Sequence, residues 1–267
     1  MINNIVETNN LTKIFNTKSG PFLALKDVSF KLEEHCFTSL VGPSGCGKST
    51  VIRMLNGITP ITSGTVTIHG QTFDKDNIVK GEIHKKMGFV FQSPNLLPWL
   101  TVRQNLELPL KIYKLQNNKE YANNIDECLR IINMQEYASM YPGDLSGGMR
   151  QRVGVMRAMV HNPDILLMDE PFSSLDDETR ETLDLETQDI WQKMNRSIVF
   201  ITHNITEAVL VSNKVIIMGT NPGRILEEIE IDLPRPRTCE MKELPKFNEY
   251  VERIRNSIGK IDLSTIK

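Results

Sequence analysis

The segment Gly42-Pro43-Ser44-Gly45-Cys46-Gly47-Lys48-Ser49 fits Gly-x-x-x-x-Gly-Lys-Ser, with an apolar run at 37–41 leading in and a helical stretch at 50–56 leading out. Glycines at Gly42, Gly45 and Gly47 free the backbone to turn successive amide hydrogens toward one anion, at a helix start whose dipole also favours negative charge. Such a loop cradles a di- or triphosphate, with Lys48 reaching the β- and γ-phosphates and the Ser49 hydroxyl ligating Mg²⁺. Further along, Ile165-Leu166-Leu167-Met168-Asp169-Glu170 reads as a buried parallel strand ending in two carboxylates, where ligands of such sheets sit. Asp169 is expected to hold Mg²⁺ through its water shell. Glu170 is expected to orient or deprotonate a water attacking the γ-phosphate, which points to hydrolysis. A third feature, Leu145-Ser146-Gly147-Gly148, opens a stretch whose apolar face runs through Val153, Met156 and Val160 at helical spacing. Ser146 can cap that helix and donate a hydroxyl, and Gly147 and Gly148 expose backbone amides, so this is a second helix start suited to an anion. Guanine is read by Asn-Lys-x-Asp; the approximate match Asn213-Lys214-Val215-Ile216 lacks the Asp, which argues against a GTPase.

These groups lie far apart in the chain, and the pattern between them says what must bring them together. Residues 4–70 are mostly strand-like, with turn signals at Lys18-Ser19-Gly20-Pro21 and Thr62-Ser63-Gly64, and Gly57 is placed to end the first helix. From Pro94 to Pro142 the pattern turns helical, with Ile125, Leu129 and Ile132 at spacings of four and three. Then strand candidates at 165–168 and 198–202 flank a helix at 179–194 whose Leu183, Thr187, Ile190 and Met194 share a face, as in a βαβ unit with a parallel sheet. A strand candidate at 225–233, a Pro-rich stretch at 233–237 and a short helix at 247–258 follow, the last with a charge mixture that reads as a solvated helix. The expected fold is α/β: a P-loop (RecA-like) parallel-sheet core with an antiparallel β subdomain and an inserted helical subdomain at about 94–160. The domain that carries the phosphate loop is expected to span 4–237, with a helical tail at 238–267.

The 267 residues carry a net charge of −2, so a general nucleic-acid binder is not expected, and 40% hydrophobic with 24% charged residues suits a globular chain. No apolar run approaches the roughly 18 to 20 residues of a membrane span. The segment Met1 to Glu7 lacks the basic start and apolar stretch of a secretion signal, so the chain is placed in the cytoplasm. Cys36, Cys46, Cys128 and Cys239 show no Cys-x-x-Cys spacing and are expected as reduced, unpaired thiols.

Taken in order, the loop from Gly42 to Thr50, Gln92 after the strand at 88–91, Leu145-Ser146-Gly147-Gly148, Asp169-Glu170, Ser174-Leu175-Asp176 and His203 make the chain resemble an ABC-transporter ATPase subunit. The resemblance covers about residues 5–232. It implies a head-to-tail homodimer in which ATP is sandwiched between the phosphate loop of one copy, Ser44, Cys46 and Thr50 included, and Ser146-Gly147-Gly148 of the other. It further implies that Phe15 stacks on adenine, that Gln92 touches Mg²⁺ and senses a membrane partner, that the Asp176 loop couples the two sites, and that His203 contacts the γ-phosphate. Met149 and Arg150 depart from the glutamine common after Ser-Gly-Gly, and Ser173-Ser174 stand where small residues are usual.

Leu96-Leu97-Pro98-Trp99, the run Gly148-Met149-Arg150-Gln151-Arg152, Asn221-Pro222-Gly223-Arg224-Ile225 and Pro234-Arg235-Pro236-Arg237 are similar to the nitrate, sulfonate and taurine importers. That similarity implies integral membrane permease partners, indirect contact with an extracytoplasmic solute-binding protein, and a place on the cytoplasmic face of the membrane. Leu96 to Leu100 is expected to form part of the groove for the permease, while Trp99 taken alone reads as a packing residue. A soluble ABC-type ATPase without a transporter is the alternative. The stretch between Lys48 and Ser146 is too short for the long coiled coils of chromosome-associated relatives, and the chain holds one cassette where translation factors hold two. A P-loop kinase would leave Ser146-Gly147-Gly148 and His203 without a task, and a binding module without turnover would not need Glu170 and His203.

Overall fold

The computed structural model describes residues 4–118, 121 and 123–264; the ends of the N-terminal segment and of the expected tail, residues 1–3 and 265–267, lie outside it. Alternating apolar residues near the start build one sheet. β1 (Asn4–Thr17) and β2 (Gly20–Glu33) pair antiparallel, and β4 (Ser63–Ile68) and β5 (Gln71–Phe73) extend the sheet in the order β2-β1-β4-β5. Its inner face buries Val6, Leu11, Leu25, Val28, Val66 and Ile68. This is the expected antiparallel subdomain.

The second sheet carries the site. β3 (Phe37–Val41), β6 (Met87–Val90), β7 (Ile165–Asp169), β8 (Ser197–Ile201), β9 (Lys214–Gly219) and β10 (Arg224–Glu230) stand in the order β10-β9-β3-β8-β7-β6, all parallel except β10. β3, β7, β8 and β9 are buried at every residue, because both faces are covered. Along β7, Ile165 and Leu167 join the core shared with the antiparallel sheet, while Leu166 and Met168 join the opposite, helical core. The twofold alternation of a strand thus locks the sheet between two layers.

α1 (Lys48–Leu55) follows β3; it starts two residues before the expected position because Gly47 in left-handed conformation caps it. Gly57, also left-handed, ends it. α2 (Val102–Ile112), α3 (Asn124–Ile131) and α4 (Gly147–Met159) form the inserted helical part, with Leu129 and Ile132 buried as their spacing predicts. α5 (Asp177–Met194) and α6 (Ile205–Val211) cover the helical face of the sheet.

The tail departs from its reading as a solvated helix. α7 (Pro245–Ser264) buries Phe247, Val251 and Ile254 in the core beneath α6 and β9. Arg237, 3% exposed, donates Nη1 to the carbonyls of Val209, Leu210 and Ser212 and Nη2 to that of Ile231, so one guanidinium ties the C-terminal end of α6 to the chain leaving β10. Arg235 stacks on Trp191 with its guanidinium carbon 4.3 Å from the ring. The Pro-rich stretch is therefore anchored, which a reading of its charges alone does not reveal. No helix among the described residues is long and apolar enough to cross a membrane, and the four cysteines are free thiols.

Candidate functional site

The phosphate loop joins the carboxyl end of β3 to α1, and two of its glycines are required by its shape. Gly45 has φ +78° and Gly47 φ +96°, both left-handed; at Gly47 an added Cβ would lie 2.4 Å from Leu25 Cδ2. Gly47→Ala is expected to cost roughly 1–2 kcal/mol for the left-handed backbone alone, to displace Leu25 besides, and to weaken nucleotide binding; urea unfolding and a nucleotide titration read both. Cys46 is 0% exposed and turns its thiol inward, so it offers only its backbone to a ligand, and burial pushes that thiol's pKa up. Lys48, 5% exposed, donates its ammonium to Gly42 O at 2.8 Å and Pro43 O at 3.3 Å, folded back across its own loop. Gly42 is buried at the base of the turn, Ser44 is exposed, and Thr50 is half-buried in the first turn of α1.

From the same turn the Ser49 hydroxyl donates to Asp169 Oδ1 at 2.6 Å. Arg53, one turn later on α1, donates Nη2 to Asp169 Oδ2 at 3.3 Å. Both oxygens of a carboxylate only 4% exposed are thus engaged from one helix. Arg53 escapes a motif-based reading; its spacing of four from Ser49 is the signal that places the two on one helix face. A hydroxyl and a carboxylate meeting beside an amide-lined loop form a hard oxygen donor set that fits Mg²⁺ together with phosphate.

The next residue turns sharply. Glu170 has φ +46°, uncommon for a residue with a side chain, and its N–H donates to Ile201 O at 3.0 Å, carrying the β7 to β8 ladder one step past the strand. The turn aims the carboxylate outward, where Oε2 lies 3.2 Å from His203 Nδ1 just beyond β8. Ser173 donates to Glu170 O at 3.1 Å and accepts from Gln92 Nε2 at 3.1 Å. Gln92, which follows β6, thus reaches Glu170 through Ser173. The carboxyl ends of β3, β6, β7 and β8 bring Lys48, Ser49, Gln92, Asp169, Glu170 and His203 to one edge.

Ser146, Gly147 and Gly148 are elsewhere. Ser146 caps α4 by accepting from Met149 N at 3.2 Å, and Asp176 caps α5 by accepting from Thr179 N at 3.0 Å, a bond that holds its carboxyl below the usual range. They line a separate open cleft of about 520 Å³ with Leu175 and Thr179, and no residue of the loop 42–49 borders it. One copy of the chain therefore presents two anion-suited helix starts that do not meet each other.

Residues 25–173 match the family model described as ABC transporter. The chain belongs to the ABC transporter family. Among relatives, it is 37% identical over 255 residues to the nitrate import ATP-binding protein NrtD of Synechocystis, covering 93% of each chain. It is 40% identical over 238 residues to the taurine import ATP-binding protein TauB of Rhizobium johnstonii, covering 87% of each. A structure described as a dimeric post-hydrolysis state of the ATP-binding cassette MJ0796 bound to ADP and Pi is similar with TM-score 0.73 and 32% identity, over 86% of this chain and 100% of that one. This chain is accordingly an ABC ATPase.

Two aromatic positions of this ABC ATPase differ from ordinary packing. Phe15, on β1, is 37% exposed, with Lys13 Nζ 4.9 Å from its ring centroid; it is not a core residue and keeps surface free for a planar partner. Trp99 is 69% exposed, which overturns its reading as a packing residue. The cause is Asn105 in α2, 0% exposed, whose Oδ1 accepts from Leu97 N at 2.8 Å and whose Nδ2 donates to the carbonyls of Leu97, Leu100 and Thr101. That side chain ties the loop to the helix and turns Trp99 outward. A separate apolar groove of about 290 Å³ lies between β6, α2 and α4, lined by Phe89, Phe91, Leu108, Ile112 and Tyr113.

Proposed function

We propose that this chain is the ATP-hydrolysing subunit of a membrane importer for a small oxyanion of the nitrate or sulfonate type, working as a homodimer on the cytoplasmic face of the membrane. The observation that carries the chemistry is the meeting of Ser49 with Asp169 and of Glu170 with His203 at adjacent strand ends. The amides of Gly42 to Thr50 cradle the triphosphate, Lys48 neutralises its β- and γ-oxygens, and Phe15 stacks on adenine. Ser49, Asp169 and Gln92 would hold Mg²⁺, which when bound supplies charge neutralisation at the phosphates. Glu170 accepts a proton from the attacking water as its oxygen bonds to the γ-phosphorus and the bond to the β,γ-bridging oxygen breaks, leaving ADP and phosphate. His203, held by Glu170, reaches the γ-phosphate.

The cleft at Ser146 needs a second copy to complete the site: Ser146, Gly147 and Gly148 of one chain close on the phosphates held by the other, and Asp176 beside them links the two sites. The exposed Trp99 and the apolar groove by Phe91 give a permease a surface to grip, and a solute-binding protein acts through that permease. The names of the relatives support import, and the anionic XO₃ group that nitrate and taurine share supports an oxyanion as the solute.

The test is capture of tagged Glu170→Gln with MgATP from detergent-solubilised native membranes, with mass spectrometry of its companions. A multi-span permease in near-equal amount is the expected result. Recovery of soluble proteins only, with ATP-dependent dimerisation intact, would leave an ABC ATPase uncoupled from transport.

A further inference from the structure

Behind the turn that carries His203, two carboxyls from different helices meet out of reach of solvent. Asp184 in the middle of α5 is 2% exposed and Glu207 in the first turn of α6 is 7% exposed. Glu207 Oε2 accepts a hydrogen bond from the Thr202 hydroxyl. Thr202 Oγ1 accepts in turn from Asn204 N at 2.9 Å, and Asn204 Oδ1 accepts from Glu207 N at 3.2 Å. Residues 202–204, with His203 between them, are thereby strung from one buried carboxylate. A cavity of about 10 Å³, room for one water, lies between Glu207, Arg180 and Thr202 on one side and Glu170 and His203 on the other.

A hydrogen bond between the two carboxyls needs one proton, and Asp184, the more deeply buried and with Oδ1 otherwise unpartnered, is the member suited to keep it. Burial first, then the charge of Glu207, holds the Asp184 carboxyl well above the usual range; burial also raises Glu207, opposed by the donors Thr202 and Asp184. Two adjacent buried carboxylates cannot both carry charge cheaply. The cations that face the pair are committed elsewhere. Arg180, on α5, donates to Asp177 at 2.9 Å and to the carbonyls of Phe172 and Leu175; Lys242, after β10, bonds Glu181; His203 bonds Glu170.

We propose that Asp184 and Glu207 form a proton-sharing pair whose task is to position His203, Glu207 carrying the charge, Asp184 the proton, and Thr202 passing the constraint to the turn. This rests on the reading of His203 as a γ-phosphate contact. Losing the shared proton puts two charges in one buried place and releases the turn. No side chain of the pair or of Thr202 bonds the phosphate loop; the Thr202 N–H reaches the neighbouring strand only at Leu40 O, 3.3 Å away. The pair is a positioning device for turnover, with no part in holding the nucleotide. Its effect on stability has a definite sign: the folded chain keeps a proton that the unfolded chain releases near the ordinary aspartate pKa of about 3.9, so the contribution is complete below that pH and is lost as pH rises through the pair's own higher range.

The full-length chain is assayed for kcat and KM from about pH 6 to about pH 10, the span across which a raised carboxyl, histidine and lysine titrate. The kcat of the natural sequence is expected to fall on the alkaline side at steady KM, and Asp184→Asn, which donates without titrating, is expected to lack that fall. Glu207→Ala is expected to lose about 100-fold in kcat, the scale of a misplaced reacting group, with Glu207→Gln recovering most of it. In histidine-labelled chains the imidazole resonances of His203 should shift in Glu207→Ala and stay in place in Asp184→Asn. Superimposable kcat profiles for the natural sequence and Asp184→Asn, or full kcat in Glu207→Ala, would overturn the pair's role. His203→Ala separates the levels: normal turnover there removes the reading of His203 itself, whereas lost turnover with superimposable profiles removes only the pair.

Discussion

Glu170→Gln is expected to bind ATP as the natural sequence does and to release phosphate about 10²- to 10⁴-fold more slowly, the contribution of a positioned general base. The backbone that aims this side chain does not depend on its charge. The left-handed φ of +46° and the N–H bond to Ile201 O belong to the main chain, and glutamine keeps the length needed to meet His203 Nδ1. What the amide cannot do is accept a proton from water. Binding rests on the loop 42–49 and on Asp169, which glutamine at position 170 does not touch. The same variant is therefore expected to accumulate as an ATP-bound dimer, since the γ-phosphate linking the two copies is no longer cleaved. Single-turnover phosphate release, measured beside equilibrium nucleotide binding and size-exclusion chromatography, reads all three; phosphate release at the natural rate would remove Glu170 from the proposed role.

How much of this was legible in the sequence differs by kind of interaction. The phosphate loop is read directly because its chemistry is local: the glycines, Lys48 and Ser49 lie within eight consecutive residues, and one helix start organises them. Asp169 and Glu170 are read because a buried parallel strand is apolar along its whole length, so acids at its carboxyl end stand where such a sheet meets its ligands. Contacts that span the chain leave no such trace. Arg53 on Asp169, Arg237 under α6 and Asp184 against Glu207 each join a polar residue to a distant partner, and Asn105, though its partners Leu97 to Thr101 are near in sequence, turns inward where its type suggests solvent. A polar residue within a helix is ordinarily a solvent-facing one, and only the folded chain shows which of them turn inward. Trp99 fails in the opposite direction. Size and apolarity argue for burial, and one buried asparagine overrides them. The tail fails for a related reason: its charges mask the periodic Phe247, Val251 and Ile254 that seat it.

Lys48→Ala is expected to lose ATP affinity by roughly 2–5 kcal/mol, the cost of truncating one member of a buried charged hydrogen-bonded pair, or about 30- to 4,000-fold in Kd. The residue is 5% exposed, and its ammonium has the carbonyls of Gly42 and Pro43 as partners. An arriving triphosphate exchanges those carbonyl bonds for charged oxygens of its own, so the lysine is already desolvated and held before the ligand comes. Alanine leaves the two carbonyls without their donor and the phosphates without a counter-charge. Lys48→Arg is not expected to restore binding, because a planar guanidinium does not fit where a compact ammonium bridges two carbonyls of one tight turn. The consequence extends to assembly. Moving a monomer–dimer preference from 1:99 to 99:1 takes about 5.5 kcal/mol of differential binding, and a nucleotide that no longer binds cannot contribute it. Lys48→Ala should therefore stay monomeric in MgATP where Glu170→Gln dimerises, and the double variant should follow Lys48→Ala, since binding precedes the step that Glu170 serves. Light scattering with and without MgATP, alongside a fluorescent-nucleotide titration, distinguishes the two; unaltered affinity in Lys48→Ala would count against the phosphate-loop reading from which the rest of the mechanism is built.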